Sequence, residues 1–168
     1  MNYVGFNEFD TANGEGVRVS LFVSGCTLHC KGCFNPESWS FQAGNPFTQE
    51  TMNAIDHALA QDWIDGLSIL GGDPFEPENL PTVTEICRFF KTKYPHKSIW
   101  LWTGRRLEKV RRCEVLKYID VLIDGAFVEK LRITDKNAWR GSSNQRVIRI
   151  INRINNEYEN EICSIINE

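Results

Sequence analysis

Nowhere does this 168-residue sequence hold the run of about 18–20 apolar residues that a membrane-spanning helix needs. A surplus of positive charge is missing too: 19 Lys and Arg stand against 22 Asp and Glu, a formal net charge of −3. A protein that grips nucleic acid through a general basic field would carry the opposite balance. Residues 1–10 contain neither the basic stretch nor the apolar core of a secretory signal. Internal repeats and low-complexity tracts are absent as well. Together these absences predict a soluble cytoplasmic protein with no membrane or nucleic-acid partner. What is present suits one domain: 42% of the residues are apolar, enough for a core at this length. The domain is expected over residues 1–150, with residues 151–168 as a C-terminal tail of uncertain structure.

Three of the six cysteines crowd into eight residues, Cys26, Cys30 and Cys33, spaced C-x3-C-x2-C. A loop with this spacing can turn three thiolates toward one point, as a metal or cluster site requires. A closed zinc site or an electron-transfer cluster usually takes four protein ligands. Three ligands leave a metal position open, where a small molecule can bind and react. Two plainer readings stand beside this one. His29 would complete a zinc knuckle, although its place inside the cysteine run would strain the loop. A disulfide with a spare thiol is the other, disfavoured in a reducing compartment. Cys87 falls in an apolar helical pattern with Val83, Ile86 and Phe90 and reads as a buried structural thiol. Cys113 and Cys163 attract no role.

Periodicity predicts strands over 17–23, 66–70, 97–103 and 121–123, separated by helices over 49–61, 81–94 and 107–118. Residues 127–137 read as a loop with a turn, and 147–154 as either strand or helix. A stripe of Tyr158, Ile162 and Ile165 suggests a last helix. The β-α-β-α-β-α-β order calls for parallel strands joined by right-handed crossovers. Each strand ends in small or polar residues: Ser24-Gly25, Gly71-Gly72-Asp73, Thr103-Gly104 and Asp124-Gly125. Ligands of parallel α/β proteins collect at these C-terminal strand ends, so the four motifs should converge beside the cysteines. A complete eight-fold barrel takes about 250 residues, which leaves an open doubly wound sheet or an incomplete barrel.

In Gly71-Gly72-Asp73-Pro74 two glycines permit a sharp turn with exposed backbone, and proline fixes the exit. Such backbone with a carboxylate suits the ammonium of an amino acid, and the same residues also make an ordinary turn. On the first reading an alanine at Gly72 would hold a ligand off and leave the fold and the cysteine site intact. For Phe34, next to the third cysteine, a loop aromatic packed on the core is the plainer alternative. Glu15 and Arg18 read as ordinary solvated charges outside the site.

Residues 24–35 resemble, residue for residue, the cluster motif of the radical S-adenosylmethionine superfamily. The resemblance implies a 4Fe–4S cluster with three irons held by Cys26, Cys30 and Cys33. The fourth iron chelates the amino and carboxylate groups of S-adenosylmethionine. It further implies that Gly71-Gly72-Asp73-Pro74, a GGEP-type motif with Asp for Glu, holds the methionyl amino group. Phe34, beside Gly32 and Cys33, would lie against the adenine. Gly32, Cys33, Phe34, Gly71, Gly72, Asp73, Thr103 and Asp124 form the expected cofactor-binding set, with no catalytic residue beyond cluster and cofactor. The implied fold is a partial, open β/α barrel of parallel strands.

Three further stretches narrow the resemblance: 13–26, the pair 100–104 with 120–125, and Trp139-Arg140-Gly141-Ser142-Ser143-Asn144-Gln145-Arg146, the most specific. Together they are similar to the glycyl-radical-enzyme activases that serve the anaerobic ribonucleoside-triphosphate reductase. That resemblance implies an electron from a flavodoxin-like donor, reductive cleavage of S-adenosylmethionine, and a 5′-deoxyadenosyl radical. The radical takes a hydrogen atom from a glycine of the large reductase subunit. A different activase or a deazaguanine-synthase-like enzyme would share the cluster but not the 139–146 run. A zinc-binding interaction module would be colourless where a cluster protein is brown.

Overall fold

The computed structural model describes residues 1–151 and 164–166. Its strands are β1 (Asn2–Asp10), β2 (Arg18–Val23), β3 (Asn45–Pro46), β4 (Gly66–Gly71), β5 (Ser98–Thr103), β6 (Val121–Asp124), β7 (Arg146–Arg149) and β8 (Ser164–Ile166). The helices are α1 (Gln49–Leu59), α2 (Leu80–Lys93) and the four-residue α3 (Leu107–Val110). One sheet takes all the strands in the order β3-β1-β2-β4-β5-β6-β7-β8. β2, β4, β5 and β6 run parallel, as the alternation of strands and helices predicts.

The flanks do not follow that expectation: β1 pairs antiparallel with β2 and β3, and β7 pairs antiparallel with β6 and β8. The chemistry of the connection explains the first case. A parallel crossover takes a dozen or more residues, and residues 11–17 are too few, so the chain turns back as a hairpin. Residues 107–118 make α3 and a separate 3-10 turn, Glu114–Lys117, in place of one helix. Of residues 147–154, the first three are strand, in β7, and 152–154 lie outside the described residues. Ser164–Ile166 is also a strand, which replaces the helical stripe at Ile165, while Tyr158 and Ile162 lie outside the described residues. No helix among the described residues is long and apolar enough to cross a membrane.

Alternation along the parallel strands sorts their side chains onto two faces. Val19, Leu21, Leu67, Ile69, Leu101 and Leu122 join Ile55 and Leu59 of α1 and Ile86, Cys87 and Phe90 of α2 in the main core. Thr48 starts α1 with a reciprocal Thr48–Thr51 capping box. The opposite face carries Trp100, Val121 and Ile123 in a second cluster with Trp102, Trp139 and Val147.

Arg18 departs from its expected place in solvent, for it is fully buried. Its Nε donates to Ser68 Oγ (2.7 Å), Nη1 to Ser98 Oγ (2.9 Å), and Nη2 to the Leu67 and Ser98 carbonyls (2.8 and 3.0 Å). The guanidinium carbon stands 5.2 Å from the Trp100 ring centroid. Burial lowers the Arg18 pKa to about 10, against the pull of more distant carboxylates such as Asp65. Arg18→Met keeps the volume but removes the donors to Ser68 Oγ, Ser98 Oγ and the carbonyls of Glu15, Leu67 and Ser98, and leaves Ser68 Oγ only its own bond to the Asn13 carbonyl. It should cost about 3 kcal/mol, since each buried unpaired group costs about 1–3 kcal/mol, read as a lower urea midpoint. An unchanged midpoint would contradict this role.

Candidate functional site

The site begins where β2 and β4 end side by side. Gly72 N–H donates to the Val23 carbonyl (2.7 Å), and Asp73 N–H donates to the Gly25 carbonyl (2.8 Å). Gly71 has φ +109°, in the region that glycine alone enters without strain. A Cβ on Gly72 would lie 2.4 Å from the Gly25 carbonyl oxygen and 3.0 Å from its nitrogen. The two strand ends therefore touch backbone to backbone, one residue ahead of Cys26. That contact corrects the expectation that an alanine at Gly72 would leave the cysteine loop undisturbed.

From Gly25 the loop is held by groups other than sulfur. Gly25 N–H and Cys26 N–H donate to the Ser38 and Trp39 carbonyls (2.7 and 3.0 Å). The Thr27 N–H and hydroxyl both donate to Glu76 Oε1 (2.8 and 2.7 Å). Asn79 Nδ2 donates to the carbonyls of Ser24 (2.8 Å) and Asp73 (3.0 Å). Cys33 N–H donates to the Cys30 carbonyl (3.1 Å), and Asn35 N–H points at Cys33 Sγ (3.4 Å). Cys26 is buried, while Cys30 and Cys33 are partly exposed. Burial pushes the Cys26 thiol up.

All three cysteines open on one cavity of about 500 Å³, within the usual range for small-molecule sites. Gly71, Gly72, Thr103, Trp102 and Trp139 line it too. Among the described residues no three His, Cys, Asp or Glu side chains gather closely enough to hold a single metal ion. His29 stacks on Trp39 with ring centroids 4.6 Å apart. A polynuclear cluster asks for something looser than a zinc knuckle, since each thiolate bonds its own metal atom. Three thiols lining a cavity of this size fit such a group.

The expected cofactor-binding residues divide. Cys33, Phe34, Gly71, Gly72 and Thr103 line the cavity. Gly32 does not; its carbonyl accepts from Arg132 Nη2 (3.2 Å). Phe34 is exposed rather than packed on the core, edge-on to Phe127 at 5.0 Å and under the Arg132 guanidinium at 4.5 Å.

Asp73 and Asp124 are fully buried, and neither carboxylate faces the cavity. Asp73 accepts from Phe75 N–H (2.9 Å), the Thr103 hydroxyl (2.9 Å) and Arg105 Nη1 (2.6 Å). Burial pushes its carboxyl up, against the pull of the Phe75 N–H and Arg105. Arg105 also pairs with Glu76 (3.0 Å). Burial works against the Glu76 charge, yet Thr27 and Arg105 hold its pKa below the ordinary value. A chain Thr27–Glu76–Arg105–Asp73–Thr103 thus ties the cysteine loop, the β4 turn and the end of β5 together. Sequence reasoning passed over Glu76, Asn79 and Arg105; their only mark is a polar side chain three and six residues after Asp73 and directly after Gly104.

Asp124 accepts from Leu107 N–H (2.7 Å) and from Arg146 Nε (2.9 Å), and Arg146 reaches on to Glu108 (3.0 Å). This accounts for the end of the 139–146 run. Gln145 Oε1 accepts from the N–H groups of Gly141 and Ser142 (2.8 and 3.0 Å), and its Nε2 donates to the Gly125 carbonyl (2.8 Å). Asn144 Nδ2 donates to the Ala126 carbonyl (2.8 Å). The run is a clasp that fixes the cavity wall at Arg140–Gly141 to the end of β6.

Residues 12–148 match the family described as a 4Fe-4S single cluster domain. The chain is similar to the anaerobic ribonucleoside-triphosphate reductase-activating protein of Enterobacteria phage T4. They are 42% identical over 147 residues, 88% of this chain and 93% of the phage protein. The protein of the same name from Pasteurella multocida is 43% identical over 155 residues, 89% of this chain and 98% of its own. That of Escherichia coli K12 is 40% identical over 151 residues, 88% and 97% of the two chains.

Proposed function

The chain belongs to the anaerobic ribonucleoside-triphosphate reductase-activating protein family, and from that premise we propose that it activates such a reductase as a radical S-adenosylmethionine enzyme. The observation that carries the reading is the opening of Cys26, Cys30 and Cys33 onto the same cavity as the Gly71–Gly72 backbone. The three thiolates would hold a 4Fe–4S cluster and leave one iron without a protein ligand. Bound there and reduced by an external donor, the cluster would supply the electron for reductive cleavage of S-adenosylmethionine, the chemistry that would lead to hydrogen abstraction from a glycine of the reductase.

The protein's own contribution is placement and exclusion of water. Gly71 and Gly72 bring backbone, with no Cβ, to the wall where the methionyl end would rest. Asp73 serves this wall indirectly by fixing Thr103 and Arg105. Asp124 fixes Arg146 in the same indirect way. Trp102, Trp139 and Phe34 offer aromatic surface to an adenine. The sheet with its parallel centre is read as the partial barrel of the superfamily, a flavodoxin-like protein as the electron donor, and the cytoplasm as the setting.

Reconstitution with iron and sulfide in the absence of air, followed by iron analysis and S-adenosylmethionine titration, tests the reading. A brown protein is expected, one that yields a glycyl-radical spectrum when mixed with the reductase and reductant. On exposure to air it should lose iron more slowly with S-adenosylmethionine bound, because the cofactor covers the open iron. A colourless zinc protein, or equal rates of iron loss, would overturn it.

A further inference from the structure

We propose that the two segments flanking the cavity mouth, 28–34 and 128–132, form the docking surface for the glycine-bearing segment of the reductase. The inference rests on the functional reading above and adds the residues that meet the partner. Leu28 is 38% exposed, Phe34 56%, Val128 38% and Leu131 44%. Half of the exposed large apolar side chains among the described residues thus fall in these two short segments. Elsewhere, Phe9 and Trp63 stand against each other, with ring centroids 5.7 Å apart, and Phe89 packs edge-on to Phe90.

The two segments are in contact, and the second lies between the cavity-lining residues Phe127 and Ile133. Arg132 lies over the Phe34 ring at 4.5 Å and the Phe127 ring at 5.2 Å and donates to the Gly32 carbonyl. Lys31 meets Glu129 at 3.6 Å, a loose and exposed pair. On the far side, the 128–132 segment is pinned by Val128 N–H to Ser142 Oγ (3.1 Å) and by Ser143 N–H to the Leu131 carbonyl (2.8 Å). Backbone is anchored, then, while the apolar side chains are left uncovered, which is how a preformed binding surface is built.

Two arguments choose the occupant. Radical transfer requires a glycine Cα to enter the cavity, and Leu28 and Phe34 line that cavity while standing exposed beside its entrance. An incoming backbone has to pass them. The charges agree: Lys31, Lys130 and Arg132 outnumber Glu129 over the two segments, so an extended segment with apolar and acidic side chains around its glycine is the complement.

The test uses the reconstituted full chain carrying Val128→Asp and Leu131→Asp together. Iron content and S-adenosylmethionine affinity should stay at wild-type levels, while affinity for the purified reductase falls about tenfold or more, as loss of apolar anchors at an interface does. Glycyl-radical yield should recover at high protein concentration. Phe89→Asp, on the outer side of α2, should leave reductase affinity unchanged. Equal affinity of the double variant and wild type would overturn the assignment. Loss of iron or cofactor binding in the double variant would also overturn it, by making the segment part of the cavity wall. So would wild-type dimerisation in sedimentation that the double variant abolishes without change in reductase affinity, since the surface would then be a self-contact. Failure of the wild-type chain itself to bind S-adenosylmethionine would strike the functional reading instead.

Discussion

Cys30→Ala is expected to give a protein that reconstitutes without colour and without S-adenosylmethionine cleavage, and the same is expected of Cys26→Ala and Cys33→Ala. The loss should be complete rather than graded, because the proposed three-thiolate site has no reserve ligand. His29 offers no rescue while its ring is stacked on Trp39. Neither does Cys87, which is wholly buried in α2, with burial driving its thiol far up. Cys87→Ala therefore keeps its iron and loses only packing, on the order of 1 kcal/mol. Iron analysis of the four variants is the check. Iron retained in Cys30→Ala and lost in Cys87→Ala would overturn the ligand assignment.

The second large effect is expected at Gly72. Its alanine Cβ would come within 2.4 Å of the Gly25 carbonyl oxygen, and every neighbour there is backbone. Side-chain rotation offers no relief, so the β2 and β4 ends must part. Parting them stretches the bonds from Gly72 N–H to Val23 and from Asp73 N–H to Gly25, and it moves the residue before Cys26. We expect Gly72→Ala to lose both stability, by about 3 kcal/mol from overpacking and broken bonds, and most of its iron. Gly104→Ala supplies the contrast at the same cavity. Its Cβ would strike Leu28 Cδ1, the end of a flexible and exposed side chain, with Ala126 no nearer than 3.6 Å. That variant should unfold at the wild-type midpoint and fill with iron. Urea titration and iron counts on the two proteins decide it: a stable, iron-loaded Gly72→Ala would show that the contact yields easily.

The cysteine run and the glycine pair were legible in the sequence because their chemistry is local. Thiol spacing and the absence of Cβ atoms need no partner to be read. The parallel centre was legible through its buried alternation, which leaves near-continuous apolar runs such as Leu67 to Leu70. β1 was not legible, since Asn2, Asn7 and Glu8 break its pattern and its pairing with β2 is a tertiary fact. Arg18 is the sharper case. Nothing beside it in the chain marks it as buried; its partners Ser68 and Ser98 arrive from two other strands. Asp73 and Asp124 look like ligand groups by position. Their carboxylates turn away because Arg105 and Arg146, each supplied by a different segment, compete for them at closer range. The 139–146 run was recognisable as a mark of kinship. The bonding of Gln145 to Gly125, Gly141 and Ser142 that explains it appears only once the chain is folded.

The cysteine loop is held by hydrogen bonds to Ser38, Trp39, Glu76 and Asn79. Supports of this kind would keep the loop's shape if a cluster were lost. Oxidative loss of iron would then be a vacancy to refill rather than a molecule to discard. The lifetime of the protein would be uncoupled from that of the proposed cluster, and the supply of iron and sulfide, not the synthesis of new chain, would set the pace at which activity returns after a spell of air.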